Sequence, residues 1–578
     1  MKNKMICVLA LLMAAALSAP PVACGQDGLQ LLPADTQGIL TIKSIEKLYK
    51  TFGVEELRSE YPAEFLELRE EMIEELGVDL LDLAALRQFG LDPGKPIHLG
   101  FVVQPALAMV VLIPSTGDAP AFIQALLEQE DVNFTKRDNA HGVEIYADED
   151  DEAAYFAKDS YVVVVLTDED DGGLPAMESA KNLLAATQKE TLATSKKYKK
   201  ALEKIPGEAD LTFYMGPELY DKILDMEEYE ELEEEGISPE ELRELYNKWG
   251  LSGASTVVKA RLESMQLVSE SFTWMDKDSE LLDWYQTSND PTAFLGRVPS
   301  DPMLAMVGRI NFAKVWASLE VFDDVIESDS IPDFEDTLDE ASDDLGIDIV
   351  EGLIKQFDGN MVFLINQIQM MSNDAVILLQ LSRPEEFHTT LSALVEEIDA
   401  SIEVNPSEES GQSNPELLRE EYNGVSYYTW LVPPMVQVSF GVVEDHLVVA
   451  SSRERFTSIV TGGKSFVDEI GNKEVKDALA NRTGNAFYMD FQKIAANLQA
   501  WAPMLGEESF EIIEVLNEMK ELVGVSRLED DGFWQRVTFT GARPDMWKRL
   551  LAAAIEQVPE DLDIETGDDP EDTDNDEG

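Results

Sequence analysis

Six aspartates form the densest set of side chains that could do chemistry. Asp148, Asp150 and Asp151 follow one expected strand, and Asp168, Asp170 and Asp171 follow the second strand after it. In an up-down-up meander the first and third strands end at the same sheet edge, so the two loops meet. Together they offer enough oxygens to hold a calcium ion. The spacing is not that of an EF-hand loop, because Gly172 and Gly173 do not fall where that turn needs glycine. The plainer reading is a pair of hydrated acidic loops.

Other reactive groups give less. His98, His141, His388 and His446 lack the spacing of a zinc site or a catalytic triad. Gly462-Gly463-Lys464-Ser465 is similar to the end of a phosphate-binding loop. The first glycine of that motif would fall at Ser458, however, and Arg453 to Val460 reads as helix where the motif requires a strand. A helix that stops at Gly462 is the expectation. A pair of carboxylates facing each other across a cleft would suit a glycosidase. Acids are too frequent here for closeness in sequence to identify such a pair.

The formal net charge is −70, from 114 acidic against 44 basic side chains among 578 residues. A surface of that sign repels nucleic acid and anionic lipid and attracts cations and basic proteins. The acids are spread along the whole chain, as they are in proteins adapted to high salt.

Residues 1–25 read as an export signal, with Lys2 and Lys4 ahead of an apolar run from Met5 to Leu17. Val22-Ala23-Cys24-Gly25 resembles the box of bacterial lipoproteins, in which the cysteine becomes the first residue and carries lipid. Ordinary cleavage after Ala23 or Gly25 is the alternative. Gly25 behind the cysteine, where aspartate would signal inner-membrane retention, implies an outer-membrane anchor if Cys24 is lipidated. Cys7 and Cys24 are the only cysteines, so the mature body holds no internal disulfide. Contact with the membrane is expected only through that anchor.

These groups must be positioned by a repeated framework. Leu76-Gly77-Val78-Asp79-Leu80 returns as Leu345-Gly346-Ile347-Asp348-Ile349, and the flanking segments return in the same order. The chain therefore reads as a tandem duplication, with units at 26–295 and 296–558. Each unit opens with a strand, then a helix capped by Ser44 or Asn311. Gly77 and Gly346 close a helix, and Asp79 and Asp348 cap the next one. Strand pairs follow near Ile97–Val103 and Leu107–Ile113, and near Met361–Ile365 and Ala375–Leu381. A helix and a three-strand meander come next, then Phe213-Tyr214-Met215 or its repeat Phe487-Tyr488-Met489. Long strand pairs close the units near Ser255–Trp274 and Val523–Thr540. Unit one adds a charged helix starting at Ser238-Pro239-Glu240-Glu241. Residues 559–578 are almost purely acidic and read as a disordered tail.

Strands joined by hairpins and mixed with helices predict an α+β fold, with mostly antiparallel sheet packed by helices. The exported start, the opening Leu32-Pro33-Ala34-Asp35-Thr36 and the repeated units resemble an uncharacterised bacterial envelope protein family. That resemblance supplies no activity and no site residues. The expected function is a non-enzymatic cell-envelope protein, periplasmic or outer-membrane-anchored, that binds or scaffolds an envelope protein or cationic ligand. A carboxylate-dependent envelope hydrolase and a calcium-dependent surface protein are the alternatives.

Overall fold

Local side chains fix where strands give way to helices. Ser44 accepts a hydrogen bond from the Lys47 backbone N–H (3.2 Å), and Asn311 accepts one from Lys314 (3.0 Å). Both are the expected N-caps, each satisfying a donor that the first helical turn leaves free. Asp490 does the same with Lys493 (3.1 Å). His141-Gly142 and Asn423-Gly424 are both at positive φ, the two-residue turn that matches strand twist.

In the computed structural model the described residues run from 28 to 556. Short internal stretches fall outside them, the longest being 70–81, 220–238, 286–297 and 405–415. The first half contributes β1 (Gly38–Ile42), β2 (Ile97–Val103), β3 (Leu107–Pro114), β4 (Lys136–Ala140), β5 (Val143–Ala147), β6 (Ala153–Lys158), β7 (Tyr161–Leu166), β8 (Leu211–Met215), β9 (Ser255–Leu262) and β10 (Gln266–Trp274). The second contributes β11 (Leu304–Asn311), β12 (Phe357–Gln367), β13 (Asp374–Leu381), β14 (Glu416–Tyr422), β15 (Val425–Val432), β16 (Val436–Val443), β17 (His446–Ala450), β18 (Gly484–Asp490), β19 (Met519–Glu529) and β20 (Gly532–Gly541).

Helices contributed by the first half include α1 (Ile45–Phe52), α2 (Ala119–Leu127), α3 (Ala176–Ala186), α4 (Lys196–Lys204) and α5 (Glu280–Trp284). Those that follow are α6 (Phe312–Val325), α7 (Phe334–Leu345), α8 (Pro384–Val404), α9 (Arg453–Thr461), α10 (Phe491–Gln499) and α11 (Met546–Glu556).

The strands form one antiparallel sheet of 20. In the first half the order is β4-β5-β6-β7-β3-β2-β1-β8-β9-β10. In the second it is β14-β15-β16-β17-β13-β12-β11-β18-β19-β20, the same order with each strand ten numbers on. The halves join through β10 against β20. The fold is thus α+β with a large antiparallel sheet, as expected. Two strands were not expected: β4 and β14 extend each meander from three strands to four and form the outer edges.

Following the ladders outward from Phe213-Tyr214-Met215 and Phe487-Tyr488-Met489 matches positions between halves. Leu40 corresponds to Met306, Val258 to Gly524 and Ser271 to Val537. On this register Glu270 corresponds to Arg536, and these two residues also face each other directly across the join. A pseudo-two-fold axis therefore passes through that pair.

Side chains alternate between two faces. Face A carries the central apolar clusters, with Ile39, Val163 and Tyr214 in one half and Val307, Leu378 and Phe456 in the other. Trp534 packs against both clusters. On face B, α11 of the second half lies on the first, placing Trp547 against Phe52 (5.9 Å between rings) and among Leu211, Ala260 and Leu262. Reciprocally, α5 of the first half lies on α6 of the second, where the Trp284 indole N–H donates to Ser318 (2.9 Å). Each half finishes its face with a helix from the other.

The second helix-to-helix corner forms as expected. Gly346 takes φ 64° after α7, and Asp348 accepts from the Glu351 N–H (2.8 Å). The first corner, Leu76 to Leu80, lies outside the described residues.

Candidate functional site

Of the six aspartates, Asp150, Asp168, Asp170 and Asp171 lie outside the described residues, as does Cys24. Asp148 and Asp151 are placed, and both hold backbone. Asp148 accepts from the Ala153 N–H with both oxygens at 3.2 Å. Asp151 is buried at φ 68°, accepts from the Met177 N–H (2.9 Å), and is paired with Lys136 (3.1 Å). Its carboxylate thus sits at the start of α3, where the helix presents free N–H groups and positive potential. The described ends of the two loops lie at one edge, where the Thr167 N–H bonds to Glu152 O (2.9 Å). Among the described residues no three acidic, histidine or cysteine side chains are grouped to hold a metal.

The histidines fall apart from one another. His141 occupies a hairpin turn, and His98 is buried with Nδ1 2.8 Å from the Thr41 hydroxyl. His446 is buried beside Asp445 (2.8 Å), and desolvation holds its pKa below the ordinary value despite that carboxylate. Gly462 ends α9 at φ 74°, as read from the sequence; Lys464 and Ser465 lie outside the described residues.

Register reveals two features that spacing did not. On face A, one row crosses the first half as His98–Thr41–Thr212–Lys259, each directly opposite the next, and all four are buried. The Lys259 ammonium donates to the carbonyls of Leu202 (3.3 Å), Ile205 and Gly207 (3.5 Å) at the end of α4. A cation is favoured there because the last carbonyls of a helix lack partners. The corresponding row of the second half is Val362–Val307–Ala486–Val525, buried and wholly apolar. The second half has buried polar groups near the ends of β12 and β13 instead. There Asn360 donates to Gln380 (2.6 Å) and Gln380 to Asp445 (3.2 Å).

The second feature is on face B. Met306, Phe363 and Ile377 stand opposite one another on three adjacent strands, with Met306 43% and Ile377 37% exposed. Leu304, Ile365 and Ala375 form the neighbouring row, and Trp430, 38% exposed, lies four strands beyond β12 on the same face. The corresponding residues of the first half are Leu40, Leu99 and Val111. Leu40 there is only 8% exposed. In that half Leu219 is buried over Gly38 and Phe101, so closely that a Cβ on Gly38 would stand 3.0 Å from it. Four residues after Phe487-Tyr488-Met489, where Leu219 follows the first copy, stands Lys493, which turns to Asp301 (2.5 Å) instead.

No curated protein and no solved structure matches the chain. One family does match, over residues 91–537, a span that takes in most of both halves and the join between them. On that match the chain belongs to the family described as "Protein of unknown function (DUF3352)".

Proposed function

We propose that the protein is an exported, non-enzymatic module of the cell envelope that binds or scaffolds a partner through face B of its second half. One observation carries this reading. Met306 and Ile377 are exposed, with the half-buried Phe363 between them, where the first half has a buried Leu40 beside the half-buried Leu99 and Val111. An apolar strip left exposed on a soluble surface costs solubility, and it is retained where something covers it.

The finer architecture belongs to the same proposal. The chain arose by tandem duplication of one α+β unit, with copies at 26–295 and 296–558. A leader precedes them at 1–25, and an acidic tail follows at 559–578. The matching strand order supports this, and so does the pairing of Glu270 with its own counterpart Arg536. Such self-opposition is the mark of an isologous two-fold interface, now contained in one chain. Lys2, Lys4 and the apolar run to Leu17 support export, and Cys24 carries the lipid if the outer-membrane reading holds.

A photo-reactive residue placed at Ile377 tests the binding role in intact cells, with one at Val111 as the comparison. An adduct at 377 and none at 111 is expected; no adduct at 377 would end the reading. For location, fractionation of wild type and Cys24→Ala should move the protein out of the membrane fraction. An unchanged distribution would reject the lipid anchor.

A further inference from the structure

The exposed row has a neighbour that defines what can cover it. Ile377 faces Val449 directly, and Val449 packs with Phe387, Leu391 and Val395 of α8. The outer surface of α8 carries Glu385, Glu386, Glu396, Glu397 and Asp399; Arg383 pairs with Glu386 (2.7 Å) and Arg419 with Glu396 (3.8 Å), and the helix itself has no lysine or arginine. An apolar floor thus lies beside an acidic wall, on a chain whose formal charge is −70.

We propose that this surface takes a polypeptide segment with an apolar face rimmed by lysine or arginine. The inference rests on the binding role above and specifies its partner. Apolar contact supplies the buried centre and opposite charge the rim, the usual division of an interface. A second copy of this chain would bring an equal negative charge to the same wall, and anionic lipid would be repelled likewise.

The test uses the full chain and three labelled synthetic amphipathic peptides of equal length. One has leucine on one face and lysine on the other. The second replaces lysine with glutamate, and the third replaces leucine with serine. The leucine–lysine peptide should bind at least tenfold more tightly than either of the others. Its affinity should fall at least tenfold for the double variant Met306→Asp/Ile377→Asp. Because a charge could disturb folding, Met306→Gln/Ile377→Gln is measured beside it, and its affinity should also fall, by at least threefold.

Equal binding of the lysine–serine peptide would mean charge alone, and equal binding of the leucine–glutamate peptide would mean apolar contact alone. Unchanged affinity in both variants would place binding elsewhere. A wild-type dimer in sedimentation that the variants dissolve would make a second copy the occupant. Each of these overturns the partner class. Adducts at residue 377 in cells without peptide binding would leave the binding role standing and remove only this partner.

Discussion

Two rows occupying corresponding places on face A differ completely in chemistry: His98–Thr41–Thr212–Lys259 against Val362–Val307–Ala486–Val525. Register fixes that both are buried. What lies over them decides their polarity. The end of α4 aims carbonyls at Lys259, and His98 lies against Thr41, Tyr161 and Gly28. In the second half Phe456, Ile459 and Val475 cover the row instead, so only apolar side chains fit without a desolvation cost.

The comparison can be broken from either side. Val525→Lys, which writes the first half's residue into the second, should cost about 3–5 kcal/mol, because it buries an ammonium that no carbonyl set awaits. The reverse change, Lys259→Val, should cost roughly 1–3 kcal/mol as the carbonyls of Leu202 and Gly207 lose a buried donor. Urea titration reads both, and a neutral Lys259→Val would show that the ammonium does not hold the end of α4. Thr41→Val and His98→Val should each destabilise. The double variant should recover about 1 kcal/mol of coupling for their 2.8 Å contact.

The join sharpens the comparison further. Glu270→Arg sets two like charges opposite each other and should cost roughly 0.2–1 kcal/mol. Adding Arg536→Glu should restore that loss, since the pseudo-axis makes the two sites equivalent. No recovery would mean that Arg261, 3.8 Å from Glu270, breaks the equivalence.

The last effect concerns His446, which stands where the first half has Tyr161. Burial holds its imidazole below the ordinary value of about 6.5. Above that value neither the folded nor the unfolded chain carries the proton. As pH falls below it, the unfolded chain takes up a proton that the folded chain refuses, and stability is lost. Wild type should therefore lose more stability than His446→Gln between about pH 7.5 and pH 5.5. The excess should be at most about 1.4 kcal/mol per pH unit. Parallel pH profiles would show that His446 does not contribute.

Much of the framework was legible because it rests on local signals. Caps at Ser44 and Asn311, and the helix stop at Gly346 followed by the cap at Asp348, all announce themselves within a few residues. The edge strands were missed for a physical reason. Lys136-Arg137-Asp138-Asn139-Ala140 buries almost nothing, so it shows no apolar period, and its charges discourage further pairing. The polar row and the open strip were illegible because their members are far apart in sequence. His98 and Lys259 gain their relation only through β1 and β8, and exposure of Met306 depends on what covers its face. Of the six aspartates, only Asp148 and Asp151 are among the described residues. Acidic loops look like ligands, yet Asp148 and Asp151 spend their oxygens on backbone and one lysine.

The exchange of α5 and α11 sets an order of events. A chain emerging from the ribosome presents β1, α1, β8 and β9 long before Met546 and Trp547 exist. Until then Ile42, Phe52, Leu211 and Leu262 have no cover, because the helix that completes their cluster is made last. The first half must stay unfinished, with sticky surface showing, while some 280 further residues are synthesised. Contacts spanning nearly the whole chain also slow folding, since the longest loop must close before they form. The protein is therefore a strong candidate for dependence on a holding chaperone during its synthesis.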